Sequence, residues 1–189
     1  MAKLKFNLRG HSFQSGLKSV RLGYEAAESS LQTRIDELQK KLDDDVDGLL
    51  TVAEVDEDGE YVWCEEEGIR FEIDSLNDAL NDIRRTFAVS YYHQWERYAQ
   101  SVNEHHAQFH GRIVEGLNGK RIQVHDQMDK ISTLVNAIKH NNPKHIEKLQ
   151  NSWPEVVRAG APSSFTQIFL CEGHMDHIYH VISSSGESG

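Results

Sequence analysis

Apolar side chains recur at intervals of three and four from Phe13 through Leu17, Val20, Tyr24, Ala27, Leu31, Ile35 and Leu38 to Leu42. That period puts them on one stripe of a helix and predicts a single amphipathic helix of about thirty residues packing along a narrow seam. Asp43-Asp44-Asp45 ends the pattern. Leu49 to Val55 and Glu60 to Glu65 are instead rich in β-branched and aromatic residues. The turn chemistry of Asp56-Glu57-Asp58-Gly59 between them makes the pair a β-hairpin. Ile69 to Ile73 reads as a third short strand.

Helical spacing resumes at Ser75-x-x-Asp78, which has the form of a capping box. Leu76, Leu80, Ile83, Phe87, Tyr91, Trp95, Tyr98 and Val102 follow and predict a second long helix to about His110. Gly111, Gly116 and Asn118-Gly119 break what comes next. A third helix is expected from Arg121 to His140, with Val124, Met128, Ile131, Val135 and Ile138 on its apolar face. Asn142 and Pro143 suit the cap and first turn of a fourth, reaching about Gln150. Phe165 to Cys171 and His174 to Ile182 read as a terminal β-hairpin around Glu172-Gly173, and Ser183 to Gly189 as a flexible polar tail. The fold class expected is mainly α: an antiparallel helical bundle forming one domain over 1–182, with an acidic β-hairpin inserted at 43–74 and a C-terminal β-hairpin.

Charge changes this picture in one place. Of the net charge of −10, residues 1–42 contribute +4, residues 43–82 contribute −15 and residues 83–189 contribute +1. Residues 43–82 hold 16 carboxylates and a single cation, Arg70. Such a block is a solvated insertion or interaction segment, held extended by self-repulsion unless a cation or a basic partner screens it. The remainder is mildly basic. No apolar run approaches the roughly 18 residues of a membrane span, and no signal-peptide pattern opens the chain. Two cysteines, Cys64 and Cys171, make no disulfide framework. A cytoplasmic protein without membrane association is expected.

The segment from Asp129 to Asn141 resembles the end of the motif helix of the HEPN superfamily, helical-bundle proteins common in toxin–antitoxin and phage-defence systems. Asn136 and His140 match that motif, and the aromatic helix before it, Phe87 to Tyr98, is similar. The resemblance implies a HEPN-like bundle, with RNA as a candidate partner and Asn136 and His140 as candidate catalytic residues of a metal-independent RNase. Val135 stands where the RNase members have Arg. Cleavage without a metal needs a base for the 2′-hydroxyl and a cation for the developing phosphorane charge. His140 could be the base, with Asn136 one turn earlier on the same face. Lys139 could supply charge, but it projects about 100° away and lacks the bidentate fork of a guanidinium.

The acidic block carries its own motif. Asp43-x-Asp45-x-Asp47-Gly48-x-x-Thr51-x-x-Glu54 fits the EF-hand loop, with Asp43, Asp45, Asp47, Thr51 and Glu54 as candidate Ca2+ ligands. Against it, Asp56-Glu57-Asp58-Gly59 interrupts the exiting helix, and the chain has no second loop to pair with. Otherwise no cofactor is expected.

The histidines offer weaker constellations. Cys171, His174, His177 and His180 would alternate faces on a strand and could not converge. His106 and His110, with His93 nearby, lack the carboxylate of a zinc-protease helix. Tyr91, Tyr92, Trp95 and Tyr98 have core spacing rather than that of a base-stacking platform. No Gly-rich phosphate loop, Ser/His/Asp arrangement or CxxC occurs. The heptad-like first helix predicts a homodimer or docking onto a protein partner. These readings lead first to a non-enzymatic HEPN-like interaction or regulatory protein in bacterial defence. The alternatives are an RNase with a site assembled across a dimer and a calcium-binding protein.

Overall fold

The computed structural model describes residues 7–103, 109–158 and 167–187. The chain is mainly α. Among the described residues it forms six α-helices and one two-stranded antiparallel sheet, in the order α1 (Leu8–Asp43), β1 (Ala53–Val55), β2 (Tyr61–Cys64), α2 (Glu65–Asn103), α3 (His110–Gly119), α4 (Met128–His140), α5 (Pro143–Ser152) and α6 (Glu172–Ser183). The chain divides into two compact units. One combines Met1–Tyr24 with Arg84–Gly189, and the other is Glu25–Ile83, which contains the whole acidic hairpin.

In the first unit the start of α1 runs antiparallel to the end of α2. Phe13 stacks on Tyr98 with ring centres 4.7 Å apart, while Tyr24 meets Phe87 at 5.7 Å and Tyr91 at 6.5 Å. The α1 stripe is therefore covered by α2 of the same chain here. Ala88, Tyr91, Trp95, Ala99 and Val102 carry the α2 side of this core. Helix α4 is amphipathic, with Met128, Ile131, Leu134, Val135 and Ala137 buried. Asn142 caps α5 by accepting from Lys144 N at 3.0 Å, with Pro143 in its first turn.

Several expected elements differ from those observed. His110–Gly119 is helical despite its glycines. Gly116 lies so close to α2 that a Cβ there would fall 2.6 Å from Asn103 Oδ1, and Asn103 donates to Ile113 O at 3.1 Å. Glycine here lets two helices approach, which offsets its low helix propensity. The third expected helix begins at Met128 instead of Arg121, because Arg121 takes a left-handed turn (φ 61°) after α3.

The terminal hairpin is also corrected: Glu172–Ser183 is the helix α6. Met175, Ile178, Val181 and Ile182 are all buried, a three-and-four spacing in which core packing overrides β-branched propensity. Phe165 and Thr166 lie outside the described residues, and Ile168 forms only an isolated antiparallel bridge with Val157. Nor do the residues after Ser183 form a free tail as far as Glu187. Ser185 is fully buried, donating to Val181 O at 2.7 Å and accepting from His125 N at 2.9 Å, and Glu187 N donates to Tyr98 OH at 2.9 Å. Ser188 and Gly189 lie outside the described residues.

The second unit is slighter. Ile35, Leu38, Cys64, Ile69 and Leu80 are its buried apolar residues. Arg34 pairs with Glu72 at 2.9 Å, and Lys41 with Glu65, tying α1 to α2. The hairpin pairs Ala53 with Cys64, Glu54 with Trp63 and Val55 with Tyr61, with a bulge between Glu54 and Val55. Asp56 closes its turn by accepting from Asp58 N and Glu60 N, and Gly59 supplies the left-handed φ of 78°. Ile69 to Ile73 is helical, not a strand, since α2 starts directly after Cys64. Glu65, Glu66 and Glu67 in its first turn complement the positive end of the helix dipole. Ser75 and Asp78 consequently lie inside a helix instead of capping one.

Candidate functional site

The acidic hairpin exposes an unusual amount of apolar surface. Val52, Val55, Tyr61 and Val62 are each more than half exposed, Trp63 is 41 % exposed, and Leu49 before the strands and Phe71 after them are freely exposed. Scattered exposed apolar residues are ordinary, but a run of them on one small ribbon is a candidate interaction surface. Carboxylates surround them: Glu54 on β1, Asp56 to Asp58 and Glu60 in the turn, and Glu65 to Glu67 at the start of α2. The ribbon is fixed locally. Trp63 Nε1 donates to Glu54 Oε2 at 2.9 Å, the Trp63 ring lies over Gly68, and Tyr61 OH is hydrogen-bonded to Glu67, which raises the phenol pKa. The apolar side chains are thus held in place while staying open to solvent.

The candidate calcium ligands lie at the entrance to this ribbon. Gly48 has the left-handed φ (67°) that an EF-hand loop places at its turn. Both Asp45 oxygens accept backbone N–H groups, from Leu49 at 2.9 Å and Leu50 at 3.0 Å. Thr51 Oγ1 donates to Gly48 O at 2.7 Å, Asp43 accepts from Gln39 at 3.0 Å, and Glu54 faces Trp63 on a strand. The exit from the loop is a strand, where an EF-hand has a helix. Among the described residues no three or more His, Cys, Asp or Glu side chains are grouped to hold a metal ion.

Asn136 and His140 lie near the end of α4. Asn136 is half-buried, and His140 is exposed and stacked on His145 with ring centres 5.3 Å apart. Val135, at the position of the RNase arginine, is 1 % exposed and faces the core. The side chain there cannot present a charge to a substrate phosphate beside His140.

Two histidine groupings have partners that the sequence reading did not name. His110, the first residue of α3, has Nδ1 at 2.8 Å from Tyr92 OH and Nε2 at 2.8 Å from Asp129 Oδ1, and its ring lies against Trp95. Burial lowers its pKa, outweighing the opposing pull of Asp129 and Glu96, while Lys148 lowers it further. On α6, His174 and His177 pack edge-on against Trp153, which Lys130 Nζ covers at 4.5 Å from the ring centre. His174 also accepts from Cys171 N at 3.1 Å, closing the first turn of α6, and His177 Nε2 lies 2.7 Å from Gln127 Oε1. His105 and His106 lie outside the described residues. Seeing the His174 and His177 grouping in advance required placing α6 as a helix, and the His110 grouping joins residues of α2, α3 and α4 that no local pattern connects. Tyr91, Tyr92, Trp95 and Tyr98 are buried, as their spacing implied.

Among the described residues no helix is long and apolar enough to cross a membrane. No family model matches the chain, and neither a curated protein nor a solved structure matches it.

Proposed function

We propose that the chain is a non-enzymatic interaction protein whose acidic hairpin docks a partner protein. The observation that supports this is the row of exposed apolar side chains on β1 and β2 set among the carboxylates of residues 43–82. Apolar contact supplies affinity at the centre of an interface, and charge at its rim supplies steering and choice of partner. The partner fitting that surface is a protein segment with apolar side chains flanked by Lys and Arg. The setting is the one implied by the resemblance, a HEPN-like bundle acting as a regulatory subunit in a bacterial defence or toxin–antitoxin system.

The test is a comparison of the intact protein with the variant Val62→Ser/Trp63→Ser, using affinity capture and then reconstitution with the purified partner. A basic partner should bind the wild type, lose about tenfold or more in affinity to the variant, and bind more weakly as salt rises. A partner that binds both proteins equally, or whose binding is indifferent to salt, overturns the proposal.

A further inference from the structure

A groove of about 560 Å³ opens between the start of α1 and the end of α2, wholly within the first unit. That volume lies in the range of small-molecule sites. Among the described residues its lining contains two arginines, Arg9 and Arg97, and no carboxylate. Both guanidinium groups are exposed, and among the described residues neither has a hydrogen bond or ion pair. The groove belongs to the mildly basic part of the chain, away from the acidic block of residues 43–82. Glu187, whose charge reaches Tyr98, is already engaged by Asn7 Nδ2 at 2.9 Å.

The rest of the lining fits the same ligand. Ser12 places a hydroxyl at the groove and Gln94 an amide, while Ser101 donates its own proton to Tyr98 O at 2.7 Å and the stacked pair Phe13 and Tyr98 forms an apolar wall. Gly16 opens the floor: a Cβ there would come within 3.0 Å of Gln94 Oε1. A glycine inside a long helix costs about 1 kcal/mol relative to alanine, and the room it leaves is part of this groove.

We propose that the groove binds a small phosphorylated molecule, its phosphate held by Arg9 and Arg97. Guanidinium forks match phosphate oxygens and stay charged at every physiological pH. Two of them compensate a dianion, and the hydroxyl and amide groups serve its remaining oxygens. This proposal does not depend on the hairpin reading.

Calorimetric titration of the intact protein with inorganic pyrophosphate and with adenosine monophosphate tests it. At least one probe should bind saturably at or below about 1 mM. Its affinity should fall about tenfold in Arg97→Gln and become undetectable in Arg9→Gln/Arg97→Gln, with circular dichroism unchanged. Gly16→Leu, which fills the floor, should weaken binding with both arginines present. Failure of both probes, equal binding by the arginine variants, or an equal loss in the distant control Lys144→Gln overturns the proposal. So does single-stranded RNA that displaces the probe at far lower concentration, which would assign the groove to nucleic acid.

Discussion

The hydroxyl of Tyr92 and Nδ1 of His110 lie 2.8 Å apart. Because Nε2 of the same ring faces the Asp129 carboxylate, the neutral ring carries its proton on Nε2 and accepts from Tyr92 at Nδ1. Burial also raises the Tyr92 pKa to about 12, so the phenol remains a donor throughout the physiological range.

Stability should therefore fall on acidification. The pKa values of His110, His174 and His177 are all lowered in the folded protein, chiefly by burial. Below the ordinary value of about 6.5 the unfolded chain takes up protons that the folded one resists. The stabilisation is complete above that pH and is lost as pH falls through the folded values. Urea denaturation should give a lower midpoint at pH 5.5 than at pH 7.5, with a smaller difference in His110→Gln. An unchanged pH dependence in that variant would remove His110 from the account.

Ser185→Ala should destabilise the protein by about 1–2 kcal/mol, since it leaves the His125 amide without its acceptor beside a fully buried position. Thermal denaturation measures this directly. A change near zero would mean that the last residues contribute little to the fold.

Gly116→Ala tests whether closeness or propensity wins. Alanine gains about 1 kcal/mol in helix propensity, but its Cβ would collide with the Asn103 side chain, which holds the Ile113 carbonyl. Overpacking of this kind costs about 1–3 kcal/mol, so the net effect should be destabilising. A stabilised variant would show that Asn103 turns aside freely.

The purified protein should not cleave single-stranded RNA or tRNA above background, and His140→Ala should not alter that result. The position before Asn136 is a core valine, so no cation stands beside His140 at that point of α4. Cleavage abolished by His140→Ala would reverse this and revive the RNase reading.

Calcium at about 1 mM should release no heat of binding, because Asp45 is occupied by two backbone amides and Glu54 by the Trp63 indole. Micromolar binding that Glu54→Gln removes would instead establish the loop as a calcium site.

Much of the helical frame was legible from periodicity, because Phe13, Leu17, Tyr24, Ile35 and Leu38 form a stripe long enough to admit one reading. The β-hairpin was equally plain, its turn being written in Asp56 to Gly59. Short segments were not. His174 to Ile182 and Ile69 to Ile73 contain β-branched residues whose local preference favours strand; burial of Met175, Ile178, Val181 and Ile182 makes the first helical, and the second is carried inside α2, which starts directly after Cys64. Gly116 looked like a breaker because nothing local shows that Asn103 lies against it. The exposed ribbon was foreshadowed by its charge, whereas the groove was invisible: Arg9 and Arg97 belong to different helices, brought together by antiparallel pairing.

The two-stranded ribbon has a consequence for the protein in concentrated solution. Among the described residues strands β1 and β2 pair only with each other, so each has an outer edge with no third strand beside it. Apolar ribbons with open edges recruit copies of themselves. Here every approaching copy brings the same dense block of carboxylates, and the repulsion acts before the edges meet. The same acidity therefore opposes edge-to-edge pairing of copies, and neutralising it with acid or high salt should favour self-association, which light scattering would read.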